Sequence, residues 1–208
     1  MNDTHRRLLT DPNLHHAKQE LEQELLEYLG KVRDALHKAL APQYAARYPS
    51  YDWQRGKISK GNYHEGLPWQ VLDYPRWGAA GGDGFFLQRV VILWGDNLAM
   101  HWLLKGSPAR ALRHRMEPHT LPDNFRLETA AQRMWQWKLP AATSSRAEQQ
   151  SLAFAGEASA PFRLSSYLVD FSLPEAQLPP VEQFVHRANQ FWQIFADAPA
   201  ASRSDRLF

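Results

Sequence analysis

The chain reads as an α+β protein built on a mainly antiparallel sheet. Three observations carry that reading. In "GFFLQRVVILWGDNLAMHWLLKG", residues 84–106, two apolar runs flank Gly95-Asp96, the pattern of a central β-hairpin. Helical periodicity of 3.6 is strong near both ends of the chain, over 11–41 and 179–196. Strand-like segments between them follow one another through turns instead of alternating with helices, which argues against parallel βαβ units.

The elements follow in order. Asp11 is placed to cap a helix, with Pro12 in the first position, where its missing N–H costs nothing. Leu14, Ala17, Leu21, Leu25, Tyr28, Val32, Leu36 and Ala39 then recur at threes and fours, one stripe of a helix over 11–41. Such a stripe predicts a core helix, with a coiled-coil or dimer helix as the sharper alternative. Pro42 predicts its end or a bend. Residues 42–67 are aromatic and turn-rich and read as a packed loop or short edge structure, with Tyr44, Tyr48, Tyr51, Trp53 and Tyr63 lying against something. "PWQVLDY", 68–74, reads as a strand with Pro68 at its start, where a donor is dispensable.

A two-residue loop at Gly95-Asp96 sets the hairpin register. It pairs Leu93 with Leu98, Val91 with Met100, Arg89 with Trp102 and Leu87 with Leu104, an apolar face apart from Arg89. Gln88 and His101 then fall on a mixed face. "GSPARALRHRMEP", 106–118, opens with Ser107-Pro108 as a helix start and stops before Pro118. "FRLETAAQRMWQWKLP", 125–140, favours helix in its first half and a strand over 133–139. Residues 141–160 read as a surface loop, and "PFRLSSYLVDFSLP" as the last strand. In the final helix, Phe184, Phe191, Trp192 and Phe195 form an aromatic stripe expected to dock on the sheet. The expected organisation is one α+β domain over 1–196, with helix 11–41, a sheet region over 68–172 and helix 179–196. Residues 197–208 are expected to form a flexible tail.

Composition narrows the function. With 208 residues, 44% of them hydrophobic and 22% charged, the chain has material for one ordinary core. A net charge of +2 gives no strong pull on nucleic acid. Cysteine is absent, which excludes disulfides, thiolate catalysis and Cys-based metal sites. The first residues carry no apolar signal-peptide core, and no apolar run reaches the ~20 residues of a membrane span. The expectation is therefore a soluble, cytoplasmic protein with no membrane partner.

No chemical motif stands out. "GAAGGDG", 78–84, lacks the Lys-Ser/Thr end of a phosphate loop and reads as a flexible connection. Nine histidines are present without an HExxH pattern; His15 and His16 diverge on a helix, and His114 and His119 flank a proline. No metal and no cofactor are expected. No GxSxG elbow occurs. Arg110, Arg113 and Arg115 make a short helix basic, but the small net charge favours a solvated face over a nucleic-acid contact.

The best candidate is "HEGLPWQVLDYPRWGAAGGDGFF", residues 64–86. Alternation puts Trp69, Val71 and Asp73 on one side of a strand, and Gln70, Leu72 and Tyr74 on the other. Arg89, in an apolar face, needs a partner, and Asp73 is the nearest acid that shares its face. One reading makes Asp73–Arg89 a structural pair that pins register, with Trp102 stacked on the guanidinium. The other makes His64, Glu65, Asp73, Tyr74, Arg76, Arg89 and His101 the lining of a polar pocket for something small and anionic. In an enzyme, His64, Glu65, Asp73 and His101 would be the acid–base residues, and Tyr74, Arg76 and Arg89 would bind substrate. The leading expectation is a non-catalytic cytoplasmic accessory or assembly protein that contacts a protein partner or forms a homo-oligomer. A small hydrolase or lyase is the alternative, and a nucleic-acid-associated protein the second alternative.

Overall fold

The computed structural model describes residues 10–54, 56–77, 84–116, 122, 124–128, 135–138 and 160–196, with the side chains of 77 and 114–116 excepted. The sequence-based expectations for 78–83, for most of 141–160, for His114 and His119 and for the tail 197–208 lie outside what is described. Helix α1 spans Pro12–Tyr44. Asp11 caps it as expected, its carboxylate accepting from the backbone N–H of Asn13 at 2.9 Å and Leu14 at 3.4 Å. Of the two expectations for Pro42, an end or a bend, the end is not met: the last turn continues to Tyr44. The reason is packing, because the Tyr44 ring is buried and stacks on Trp192 at 5.1 Å, which outweighs one missing backbone hydrogen bond.

Seven strands follow among the described residues: β1 (Tyr51–Asp52), β2 (Lys57–His64), β3 (Leu67–Trp77), β4 (Phe85–Leu93), β5 (Asn97–Lys105), β6 (Arg126–Glu128) and β7 (Phe162–Asp170). Helix α2 (Ser107–Met116) sits between β5 and β6, and helix α3 (Val181–Ala196) closes the described chain. The sheet order is β1-β3-β4-β5-β7-β6, with β2 also paired to β3, and every pairing is antiparallel. The protein is α+β. Two local expectations are corrected. Arg126–Glu128 is a short strand and not helix, because it adds to the edge of β7. Trp135–Lys138 is irregular and not part of a strand.

The hairpin register is also corrected. Leu93 pairs with Asn97, so the loop is three residues, Trp94 to Asp96, and every partner moves by one. Gln88 faces Trp102 and Arg89 faces His101. Two hydrogen bonds to residues outside the hairpin, in β3 and just past β7, accompany the longer loop: Trp94 N–H donates to Pro68 O at 3.0 Å, and Phe171 N–H donates to Asp96 O at 2.8 Å. Each engages a loop residue with an element outside the hairpin. The expected contrast between a buried and a mixed face also fails. Val91, Met100, Gln88 and His101 are all buried, because both sides of the sheet are covered.

The helices cover one side. Leu72, Phe86, Val90, Ile92, Met100 and Trp102 meet α1 and α3 there, and Phe184, Phe191, Trp192 and Phe195 are buried as the aromatic stripe requires. Phe191 stacks on Trp102 at 4.9 Å and on Phe86 at 5.6 Å. One polar residue organises this aromatic core. The Gln88 carbonyl accepts from the indole N–H of Trp102 at 2.8 Å and of Trp192 at 2.9 Å, while its amide donates to Tyr74 O at 2.7 Å. Two buried tryptophans from a strand and a helix thus share one acceptor, which satisfies both donors without water.

Candidate functional site

Strand pairing assembles a polar row across the opposite side of the sheet. Lys57 pairs with Asp73, Asp73 with Arg89, Arg89 with His101, His101 with Ser165, and Ser165 with Arg126. Partners directly opposite in an antiparallel pair project from the same side, so all six belong to one line. Arg89 and Asp73 form a bidentate ion pair, with Nε to Oδ1 at 2.7 Å and Nη2 to Oδ2 at 3.0 Å. Both side chains are largely buried. The guanidinium lies 5.8 Å from the Trp135 ring and 5.5 Å from the Trp137 ring. The pairing matches the sequence-based expectation, but the aromatic partner does not: Trp102 is on the helix side, and Trp135 and Trp137 take its place.

The polar residues around this row hold a piece of the chain itself. His64 Nε2–H donates to Trp135 O at 2.9 Å, Arg163 donates to Gln136 O, and Asn97 donates to Trp137 O at 2.8 Å. The Glu65 carboxylate accepts from the backbone N–H groups of Trp137 and Lys138, each at 2.9 Å. An irregular segment laid on a sheet brings backbone donors and acceptors that no ladder satisfies, and these side chains satisfy them. The Trp137 ring stacks on His64 at 3.8 Å and packs on Val71, Val91 and Leu93. Glu65 reaches its position from a two-residue turn in which Glu65 and Gly66 have φ of 51° and 90°. Left-handed geometry costs a non-glycine residue roughly 1 kcal/mol, offset here by two charge-assisted hydrogen bonds.

His101 is fully buried at the centre of the row. Its Nδ1 is 2.9 Å from Ser165 Oγ, and its Nε2 has no hydrogen-bond partner among the described residues. Burial, with smaller contributions from Arg163 and Arg89, holds its pKa well below that of a free histidine. The unfolded chain therefore takes up a proton near pH 6.5 that the folded chain refuses, so stability is held above that pH and falls as the pH drops below it. The loss grows as the pH falls further below 6.5. His101→Asn retains a polar group toward Ser165 without titrating. Urea unfolding of both proteins across this range should show a shallower pH slope for the variant; equal slopes would remove His101 from the account.

The structure divides the sequence-predicted residues. His64, Glu65, Asp73, Arg89 and His101 share the row's side of the sheet. Tyr74 is on the helix side, where its hydroxyl donates to Trp53 O at 2.9 Å, and Arg76 is exposed. Asn97, Arg163, Ser165 and Tyr167 join the row's side without having been singled out. Their signal is the alternation of Arg163, Ser165 and Tyr167 in β7, which acquires meaning only once the face is known. The basic helix separates too. Arg110 is exposed, whereas Arg113 is buried with its guanidinium 5.1 Å from the Phe162 ring.

A second feature lies on α1. From Pro12 to Glu24 every residue is exposed except the half-buried Glu22, whereas Leu25, Leu29, Val32, Leu36 and Leu40 beyond it are buried. Leu14 and Leu21 are 44% and 43% exposed although they continue the same stripe. A cleft of about 410 Å³ opens beside this arm, lined by His15, Lys18, Gln19 and Glu22 of α1 and by Lys60, Gly61 and Asn62 of β2. Lys60 and Glu22 bridge it at 2.9 Å. No helix among the described residues is long and apolar enough to cross a membrane. No family model, no curated protein and no solved structure matches the chain.

Proposed function

We propose that this is a non-catalytic accessory protein that acts in the cytoplasm by contacting another protein chain, with the first half of α1 as its contact. The exposed continuation of the core stripe through Leu14, Ala17 and Leu21 carries the reading. A helix ordinarily covers its apolar stripe or ends where the core ends. Here thirteen residues, Pro12 to Glu24, extend the stripe by ~20 Å at 1.5 Å per residue, the length of helix that a groove or a second helix covers. Further support comes from the residues an enzyme reading would need. His64 and Glu65 are engaged with the backbone of 135–138, and Asp73 is engaged with Arg89.

The test uses the full chain with Leu14→Glu and Leu21→Glu together. Each leucine contributes ~1.5–3 kcal/mol when buried, so capture of the native partner from cell extract should fall by at least about tenfold. The melting temperature should stay unchanged, since neither side chain is in the core. An unaltered set of captured proteins would refute the reading.

A further inference from the structure

We propose, independently of the α1 arm, that Trp135–Lys138 is an acid-released strap, freed from the sheet by a proton on His101. The geometry is a short chain of contacts. His101 is completely buried in β5, with Arg89 directly opposite in β4 and Ser165 directly opposite in β7. Arg163, two residues before Ser165, is the other arginine whose charge bears on the His101 ring. These two guanidinium groups also support the strap. Arg163 donates to Gln136 O, and Arg89 lies 5.8 Å from the Trp135 ring and 5.5 Å from the Trp137 ring. A charge on the imidazole therefore repels both cationic supports at once.

The acids on this side of the sheet are already engaged. Asp73 holds Arg89 in the bidentate pair, and Glu65 accepts from the amides of Trp137 and Lys138. Glu128 in β6 stands opposite Arg163. Arg126 in β6 adds a further cation, its guanidinium 5.6 Å from the Tyr167 ring, and that ring meets His101 edge-on at 6.0 Å. Lys57 in β2 stands beyond Asp73. His64 acts in the opposite sense: a charge there would face the Glu65 carboxylate at 3.7 Å and tighten the strap. An imidazolium at His101 thus meets one hydroxyl, Ser165 Oγ at 2.9 Å from Nδ1, and no acceptor at Nε2 among the described residues. Such a charge is tolerated only when water reaches it, which requires its surroundings to open. The strap is the part suited to lift, because the hydrogen bonds described for its backbone run to side chains and not to a ladder. Release uncovers Trp137 and the apolar cluster of Val71, Val91 and Leu93 on which it packs.

Amide exchange of Trp137 and Lys138, followed by NMR on the full chain and corrected for intrinsic rate, measures the opening. The range from about pH 7.5 to 5.5 crosses the ordinary histidine value and stays above that of carboxylates. Across it, protection of these two amides should fall several-fold while the amides of α3 keep theirs. His101→Asn should remove the change. Arg163→Gln keeps a donor for Gln136 O without the charge and should reduce the change, so it serves as the test if His101→Asn does not fold. His64→Gln keeps a donor for Trp135 O and should leave the change in place. Equal protection at both ends of the range would overturn the proposal. So would loss of protection in α3 together with the strap, which is global unfolding. A change that persists in full in His101→Asn, or in Arg163→Gln where the first variant does not fold, would overturn it as well. Disappearance of the change in His64→Gln would place the trigger at His64 and have the same consequence.

Discussion

Gln88→Leu is expected to destabilise the protein by roughly 3–6 kcal/mol, because it strands three buried polar groups at ~1–3 kcal/mol each with incomplete additivity. Those groups are the indole N–H of Trp102, the indole N–H of Trp192 and the carbonyl of Tyr74, all of which now bond to the Gln88 side chain. Leucine is close to glutamine in size, so the loss reports hydrogen bonding more than cavity formation. A double-mutant cycle with Trp192→Phe makes the claim specific. Phenylalanine has no N–H to strand, so Gln88→Leu should cost about 1–2 kcal/mol less in that background. Urea denaturation of the four proteins measures the cycle. A Gln88→Leu cost under 1 kcal/mol, or no coupling to Trp192, would mean that packing alone holds the strand–helix junction.

The second large effect belongs to Asp73 and Arg89. Removing one partner leaves the other charge largely buried, so Arg89→Met and Asp73→Leu should each cost about 3 kcal/mol. The double replacement should cost less than either, because no charge is then stranded and both new side chains are apolar. It would still forfeit the contact of the guanidinium with Trp135 and Trp137, worth ~0.5–2 kcal/mol. The measurement is thermal unfolding of the singles and the double. Additive costs would show that the pair does not act as a unit.

Much of the fold was legible in local pattern. The α1 cap at Asp11, the aromatic stripe of α3, the central hairpin and the α+β class follow from spacing and from the residue types that start helices. The Asp73–Arg89 pair was legible for a narrower reason. It depends on how β3 pairs with β4, and that register does not pass through the Gly95 turn. The expected stack on Trp102 did pass through that turn, and one extra loop residue sent Trp102 to the other side. The same slip hid the role of Gln88, which in the expected register lay on a mixed face and in the structure is the hub of the aromatic core.

What the sequence by itself determined is therefore what neighbouring residues decide among themselves: helix spans and caps, the side-chain stripes, and the need of a buried arginine for an acid. The tertiary structure alone decided which side of the sheet each strand residue occupies and what covers it. Hydrogen bonds from Trp94 to Pro68 and from Phe171 to Asp96 accompany the longer loop, and both join residues distant in sequence. Side chains in a strand repeat every two residues, so that single residue reverses every assignment beyond it. Alternation between apolar and polar residues reports burial only when one side of a sheet meets water. Here Trp135–Lys138 lies on the second side, held by His64, Glu65, Asn97 and Arg163, so two residues that read as reactive, His64 and Glu65, serve there as backbone hydrogen-bond partners.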